Sequence, residues 1–329
     1  MMRFLTILVA VLGALYFGYW FVGSTALERG ANTWLDELRA SGWEVRYDDL
    51  STRGFPSRFD TTLTNPDFRN PVTGIGWQAP FFQVLALSYR PNRVIAVWPQ
   101  TQDIILPGET LTLRSEGLRA SAAVAAAAAL PLDAVTLEVG AAELTSSQGW
   151  NISIAKGLLA FRDAGGAAGQ YDAFGEVTEI ALPQMLVQAL DPAGLMPAQI
   201  GLLRLDAGIS FDRPLDRFAG AAGGPSLTRI ALREMRLTWG TVALNATADL
   251  VIDSTGTPEG EITLVAANWE QLITLATNAG LVDPAAAPGF TRAASAMANG
   301  SDRIDATIKL ENGLMSWGPV PLGPAPRFR

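Results

Sequence analysis

The sequence contains no cysteine and no histidine among its 329 residues. This absence excludes disulfides, thiol nucleophiles, the usual zinc sites and acid–base catalysis by an imidazole. The sequence also lacks a Gly-rich phosphate loop and the Gly-x-Ser-x-Gly turn of serine hydrolases. We therefore expect a protein that is not an enzyme and that holds no metal and no cofactor. Folding could still bring together two carboxylates that are distant in the sequence. Enzymatic activity therefore stays an alternative, ranked third after the two functions given below.

Positive charge is scarce as well. Lys156 and Lys309 are the only lysines, and the 24 basic residues face 32 acidic ones, which gives a formal net charge of −8. A protein that binds the nucleic-acid backbone needs a basic face. We therefore expect no nucleic-acid partner.

A long apolar run is present near the N-terminus. Phe4 to Val22 carry no formal charge, and a helix of this length spans about 28 Å, close to the hydrocarbon thickness of a bilayer. A signal-peptide core is shorter, about 7–15 residues. Aromatic side chains gather at the distal end of the run, as expected where a helix leaves a membrane. The predicted anchor residues are Phe4, Leu8, Leu12, Leu15, Tyr19 and Trp20.

The residues on either side of this run bear on its processing and its orientation. The segment 24–26 (Ser-Thr-Ala) would serve as a cleavage site, so a cleaved periplasmic form stays an alternative to the retained anchor. The Met1 amine and Arg3 precede the run, whereas Glu28 and Arg29 cancel after it. The positive-inside rule predicts a single-pass protein of the bacterial inner membrane, with a cytoplasmic N-terminus and a periplasmic body.

Helical spacing continues beyond the apolar run, and Gly42 then follows as a stop signal. Acidic and basic residues balance in this segment. That balance favours a stem helix that packs one stripe on the following sheet over a helix that lies on the membrane surface. The apolar residues that recur at intervals of three or four are Leu27, Ala31, Trp34, Leu35 and Leu38.

From Trp43 onward the apolar period changes to two residues. Trp43, Val45 and Tyr47 alternate with polar neighbours, and many similar runs follow, separated by Gly, Pro, Asp and Ser. Few helical segments interrupt them. The pattern predicts a mainly β fold, in which an N-terminal transmembrane helix precedes a long, curved antiparallel β-sheet meander with two or three short helices.

The sequence predicts four parts. The best candidate for a boundary within the body is the Gly- and Ala-rich segment 219–226. Short helices are predicted at 183–190, 269–279 and 284–298, the last two after the N-capping residue types Asn268 and Asp283. The parts are a transmembrane anchor at 1–23, an amphipathic stem helix at 24–42, a periplasmic β-rich region at 43–220 and a C-terminal β-rich region at 225–329.

Four segments carry a family resemblance: RFLTILVAVLGALYFGYWFVG, YDDLSTRGFPSRFDTTLT, WQAPFFQVLALSYRPNRVIAVWP and the closing NGLMSWGPVPLGPAPRF. With them the chain resembles an alphaproteobacterial family, domain of unknown function 2125, from residue 2 to near the C-terminus. More distantly, the anchor, the β meander and the unit ITLVAANWEQLITLATNAG are similar to AsmA-like envelope proteins. That likeness implies a β-sheet groove associated with phospholipid movement between membranes, and a chain of this length would form only a short groove.

The distant likeness and the apolar strands together suggest a function. A sheet with an apolar concave face holds acyl chains, so we expect binding or transfer of a lipid, such as a phospholipid, or of another apolar envelope molecule. The predicted groove residues are Phe82, Val84, Ala86 and Val97. A register shift of one residue would move this set to the other face. The alternative is a structural or assembly scaffold of the cell envelope that acts through protein–protein contacts.

Overall fold

The computed structural model describes residues 2–220 and 223–328. Within these ranges the chain forms four helices and 22 strands, and the strand ladders are antiparallel. The predicted fold class, mainly β with one long N-terminal apolar helix and a few short helices, is confirmed.

The helices are α1 (Met2–Ala40), α2 (Gln184–Leu190), α3 (Trp269–Asn278) and α4 (Ala287–Ala298). The strands before residue 150 are β1 (Glu44–Arg46), β2 (Asp49–Arg53), β3 (Arg58–Thr64), β4 (Asp67–Arg69), β5 (Gly76–Gln78), β6 (Phe81–Leu87), β7 (Arg90–Val97), β8 (Thr101–Leu106), β9 (Glu109–Ser115), β10 (Arg119–Val124), β11 (Leu132–Val139) and β12 (Ala142–Ser146). The later strands are β13 (Asn151–Ile154), β14 (Lys156–Asp163), β15 (Gln170–Ala181), β16 (Gln199–Phe211), β17 (Leu227–Trp239), β18 (Val242–Ile252), β19 (Pro258–Ala267), β20 (Arg303–Glu311), β21 (Leu314–Trp317) and β22 (Val320–Pro324).

The chain divides into two compact units. The N-terminal unit comprises Met1–Val124 and Glu143–Gly149, and the C-terminal unit comprises Ala125–Ala142 and Trp150–Arg329. The boundary predicted at 219–226 falls inside the C-terminal unit, because β16 and β17, on either side of that segment, pair with each other. Residues 221 and 222 of the segment lie outside the described residues.

Helix α1 is continuous through the predicted anchor and the predicted stem. It is long and apolar enough to cross a membrane, and none of its most apolar stretch is buried. The helix ends at Ala40. Gly42 there adopts a φ of +92°, and the Trp43 N–H donates back to the Leu38 carbonyl at 3.2 Å, which satisfies a carbonyl that the helix itself leaves unpaired.

The C-terminal part of α1 packs on the sheet of the N-terminal unit. Leu35 is 1% exposed and lies in an apolar cluster with Val45 and Phe68. The Glu28 carboxylate accepts the backbone N–H of Thr52, in β2, at 2.6 Å. The stem therefore buries one stripe against the strands that follow it.

Two strand ladders build the N-terminal unit, β2-β3-β6-β7-β10 and β1-β4-β5-β8-β9-β12. Gaps of two or three residues separate β3 from β4, β5 from β6 and β7 from β8. These three gaps contain Pro66, Pro80 and Pro99, respectively. The gaps with Pro66 and Pro80 lie side by side, since Asn65 N–H donates to the Pro80 carbonyl at 2.9 Å and Ala79 N–H donates to the Pro66 carbonyl at 3.1 Å. Proline has no N–H to donate to a ladder, which explains the interruptions.

The C-terminal unit is a meander that runs β11-β14-β15-β16-β17-β18-β19-β20-β21-β22, with β13 added beside β15. Its three short helices lie close to the predicted positions. Helix α4 begins at Ala287 rather than at 284, because residues 283–286 form a turn in which the Asp283 carboxylate accepts the Ala285 N–H at 2.8 Å. Asn268 precedes α3 as predicted, but its side chain donates to the Thr241 carbonyl at 2.6 Å and does not cap the helix.

Gly260, in β19, provides a test of the C-terminal meander. Its φ is +142°, and a Cβ at this position would lie 2.1 Å from the Asp249 carbonyl oxygen of the neighbouring strand β18. We expect Gly260→Ala to lower the free energy of unfolding by at least about 2 kcal/mol, measured by chemical denaturation. Gly289→Ala is the control, because a Cβ on α4 meets nothing within 4 Å. If both variants lost the same free energy of unfolding, backbone and steric strain at position 260 would not be the cause.

Candidate functional site

The C-terminal unit contains an apolar cavity of about 500 Å³, which we call the roofed cavity. Strands β18 to β22 form its floor, and α3, α4 and the segment between them form its roof. The lining side chains are almost all aliphatic or aromatic. They are Leu244, Leu264, Ala266, Trp269, Leu272, Ile273, Ala276, Leu281, Val282, Asp283, Ala286, Phe290, Ala294, Ile304, Ala306, Ile308, Met315, Trp317, Pro321 and Leu322.

Strand alternation builds the floor. In β20 the even-numbered residues from Ile304 to Leu310 are buried or half-buried, whereas their odd-numbered neighbours are exposed. Pairing places Leu264 opposite Ala306 and Ala266 opposite Ile304. Residues that pair directly across an antiparallel ladder point to the same face. The small side chains of these two alanines leave space above the sheet that larger residues would fill.

The roof is held at both ends. Trp269, at the start of α3, is 4% exposed, and its indole N–H donates to the Ser301 carbonyl, just after α4, at 3.1 Å. Ala294 of α4 is 1% exposed and packs in the same cluster as Trp269. Leu281, between the two helices, is 81% exposed and also lines the cavity. The inner wall is therefore fixed by packing, and one edge is open to the outside.

One polar atom in the lining lacks a partner. Trp317 lies opposite Ile308 in the β20–β21 pairing and so on the same face as the floor. Its indole Nε1 is buried and has no hydrogen-bond partner within the part of the chain that the structure describes. A buried donor without an acceptor costs about 1–3 kcal/mol. Because this atom is closed off from the open space as well as from water, the cavity presents apolar surface to a bound molecule at this position.

A second cleft of the C-terminal unit, about 550 Å³ in volume, shares Trp269 with the roofed cavity. Its lining is mixed, since charged side chains that include Glu270 and Asp302 stand beside apolar ones such as Leu190 and Leu195. Such a lining suits water better than an apolar molecule. We therefore take the roofed cavity as the candidate site.

Charged side chains of the C-terminal unit pair across its strands. Arg204 binds Glu176, and this hydrogen bond raises the pKa of the guanidinium above its usual value. Arg233 binds Asp206 and also Asp172, the latter at 2.9 Å, and its pKa is raised chiefly by the bond to Asp206. Across residues 2–220 and 223–328, no three acidic side chains are grouped so that they could hold a metal ion.

Two of the four predicted groove residues line a smaller apolar space in the N-terminal unit. This anchor groove has a volume of about 360 Å³ and lies between α1 and strands β3, β6 and β7. Val84 and Ala86 line it. Phe82, on the same face of β6, packs instead in the apolar cluster around Leu35. The full lining is Tyr19, Gly23, Ala26, Leu27, Phe59, Thr61, Val84, Ala86, Pro91 and Val94.

Val97, the fourth predicted groove residue, requires a correction. It pairs with Gln83, whereas Val84 pairs with Ala96, so its side chain lies on the opposite face of the sheet from Val84 and Ala86. The reason is that residues 94–97 are all apolar. An unbroken apolar run does not reveal which residues face inward.

The predicted anchor residues divide into two groups. Phe4, Leu8, Leu12 and Leu15 are exposed on α1. Tyr19 and Trp20 contact the sheet instead: the Tyr19 hydroxyl donates to the Ser88 carbonyl at 2.6 Å, and the Trp20 indole donates to the Arg58 carbonyl at 2.8 Å. The end of the apolar run thus lies against the N-terminal unit.

The roofed cavity was not predicted from the sequence. Each of its walls was predicted as a strand or a helix, but the pairing that brings β18 to β22 under two helices connects residues far apart in the chain. The available signal was the combination of small residues on one face of β19 and β20 with a tryptophan at the end of β21.

Comparison with known proteins places the chain in a family. A family model described as "Uncharacterized protein conserved in bacteria (DUF2125)" matches residues 20–326. No curated protein and no solved structure matches the chain. The more distant likeness to AsmA-like envelope proteins is not confirmed and stays a hypothesis. Because the match covers both units almost completely, the chain belongs to the DUF2125 family.

Proposed function

We propose that this chain is a membrane-anchored protein of the bacterial envelope that binds a lipid in the roofed cavity, without catalysis. The observation that carries the proposal is the lining of that cavity, where two helices cover an apolar sheet face that carries small side chains. Its volume of about 500 Å³ lies within the range of small-molecule sites, about 300–1,000 Å³.

An acyl chain fits this lining energetically. Each methylene group removed from water contributes about 0.8 kcal/mol, so burial of ten of them would contribute about 8 kcal/mol before the loss of chain freedom is subtracted. Among the lining residues that the structure describes, almost none has a polar side chain that would require a hydrogen bond from the bound molecule. The acyl chain of a lipid therefore fits this lining.

The anchor supports a place at a membrane. The first fifteen residues or so of α1 present exposed leucines, valines and isoleucines along an apolar helix. Arg3 lies at the start of this stretch, which favours a cytoplasmic N-terminus and a periplasmic body. A site for acyl chains on such a body would have the inner membrane as its source of lipid.

Photocrosslinking tests the proposal on the full chain in its own membrane. Cells would be supplied with phospholipid precursors that carry a photoreactive diazirine in the acyl chain, and the crosslinked peptides would be mapped by mass spectrometry. We expect crosslinks in peptides from β19, β20, α3 and α4, in addition to those on α1 that report the surrounding bilayer. Crosslinks confined to α1, together with a stoichiometric protein partner, would instead favour the envelope scaffold.

A further inference from the structure

Two strand-connecting turns of the N-terminal unit lie against the apolar part of α1. We call them the β2–β3 turn (residues 54–57) and the β6–β7 turn (residues 88–89). The Tyr16 hydroxyl lies 3.0 Å from the Pro56 carbonyl oxygen and 2.8 Å from the Ser88 hydroxyl. The Tyr19 hydroxyl and the Trp20 indole donate to backbone carbonyls beside the same two turns. Both turns are thus tied to residues 16–20 of the helix.

This level lies within the predicted membrane span. From Tyr16 to Val22, where the predicted membrane-spanning segment ends, the helix rises about 9 Å, at about 1.5 Å per residue. If the whole run is in the bilayer, the two turns reach below the level at which the apolar run ends. Amphipathic segments that lie in the membrane interface sit about 5–10 Å deep, so the geometry matches an interfacial position.

Each of the two turns exposes one aromatic side chain. Phe55 is 50% exposed and Tyr89 is 63% exposed. The Phe55 ring packs edge-on against Phe17 and Trp20, each with a centroid distance of 5.5 Å. The ring and hydroxyl of Tyr89 suit the boundary between headgroups and acyl chains, and the wholly apolar ring of Phe55 suits the acyl-chain side of that boundary. Phe55 therefore extends the aromatic surface of the helix at this level.

Basic residues flank the same turns. Arg53 and Arg58 stand on either side of the β2–β3 turn, and Arg90 follows the β6–β7 turn; all three are exposed. Arg58 pairs with Asp60 at 3.0 Å, yet its side chain stays 59% exposed. Arginines beside an aromatic tip are suited to the phosphates of lipid headgroups, in particular of anionic lipids.

We propose that the β2–β3 and β6–β7 turns lie at the boundary between headgroups and acyl chains in the leaflet in which α1 ends, with Phe55 and Tyr89 directed toward the acyl chains and the three arginines reaching toward the phosphates. The N-terminal unit would then be held at the membrane by its turns as well as by its helix. This inference rests on the membrane-spanning part of the proposed function and not on the roofed cavity.

Spin labels measure this depth directly, and the absence of native cysteine allows single labelling sites. Phe55→Cys and Tyr89→Cys would be labelled in the full chain in vesicles of phosphatidylethanolamine and phosphatidylglycerol. Accessibility to oxygen and to a water-soluble nickel chelate reports immersion. We expect both labels to favour oxygen, with the chelate accessibility reduced at least threefold relative to Val72→Cys. Val72 is the matched control, because it is 91% exposed and lies in the β4–β5 connection. That connection follows the end of β4, whereas the β2–β3 turn precedes the start of β3.

A label at Leu8→Cys separates the possible outcomes. If Leu8 is immersed while positions 55 and 89 are as accessible to the chelate as position 72, the turns lie in water and the inference is wrong, although the anchor stands. If the Leu8 label is also in water, the anchor assignment itself fails. Circular dichroism of each labelled variant verifies that the fold is kept.

Discussion

We expect Ala306→Trp to reduce acyl-chain crosslinking in the C-terminal unit by about tenfold or more. Ala306 is half-buried on the floor of the roofed cavity, opposite Leu264, and an indole at this position occupies the space proposed for an acyl chain. Loss of about 1.4 kcal/mol of binding free energy corresponds to a factor of ten in affinity, which is less than the contribution of two buried methylenes at about 0.8 kcal/mol each. The measurement is the yield of crosslinked peptides from β19, β20, α3 and α4.

Thr307→Trp is the matched control for this prediction. Thr307 is the next residue in β20, and its side chain is exposed on the other face of the sheet. The added indole is the same, the strand is the same, and only the face differs. We expect crosslinking to remain within about twofold of the unmodified protein. Equal losses in the two variants would mean that the effect comes from a perturbed strand and not from a filled cavity.

Leu35→Ala is expected to cause the largest loss of stability in the N-terminal unit. Leu35 is 1% exposed, and its side chain joins α1 to Val45 and Phe68. Truncation of a fully buried leucine costs about 2–5 kcal/mol, because transfer free energy is lost and a void remains. The measurement is chemical denaturation of the full chain in detergent micelles, followed by the fluorescence of the tryptophans close to this cluster.

Leu27→Ala, two turns earlier on the same helix, is the comparison for this variant. Leu27 is 41% exposed, so we expect a loss of less than about 1 kcal/mol. Both changes remove the same atoms from the same helix, and they differ in burial. If Leu35→Ala is no more destabilising than Leu27→Ala, α1 does not pack on the sheet as described.

The long elements of this protein were accessible from its sequence because each carries its own periodic signal. The uncharged run predicts the apolar part of α1, and the strict alternation from Arg303 to Glu311 predicts β20 with its inner and outer faces. These signals depend on neighbours a few residues away. Local physical chemistry therefore suffices for them.

The site depends on long-range pairing, which the local pattern does not contain. In β7 the apolar run 94–97 is compatible with either face, and the register with β6 decides that Val97 and Val84 point in opposite directions. The roofed cavity likewise needs the pairing of Leu264 with Ala306 before the small side chains can be seen to line one space.

The aromatic residues at the end of the apolar run show a further limit of prediction from the sequence. Tyr19 and Trp20 fit the aromatic belt of a membrane helix, and their polar atoms bind backbone carbonyls of the sheet. The same side chains suit both roles, because each has an apolar ring and one hydrogen-bonding atom. Composition alone does not separate the two.

The proline-marked gaps in the N-terminal unit have a consequence for misfolding. Most of β6 and the segment 94–97 of β7 are apolar on both faces, so the facing of their side chains specifies the register of this pair only weakly. A slip by two residues would preserve the facing of every side chain, but it would move Pro66 or Pro80 into a position where the neighbouring strand needs a donor. The aligned gaps thus favour one register of strand pairing, and they destabilise the registers that are shifted by two residues from it.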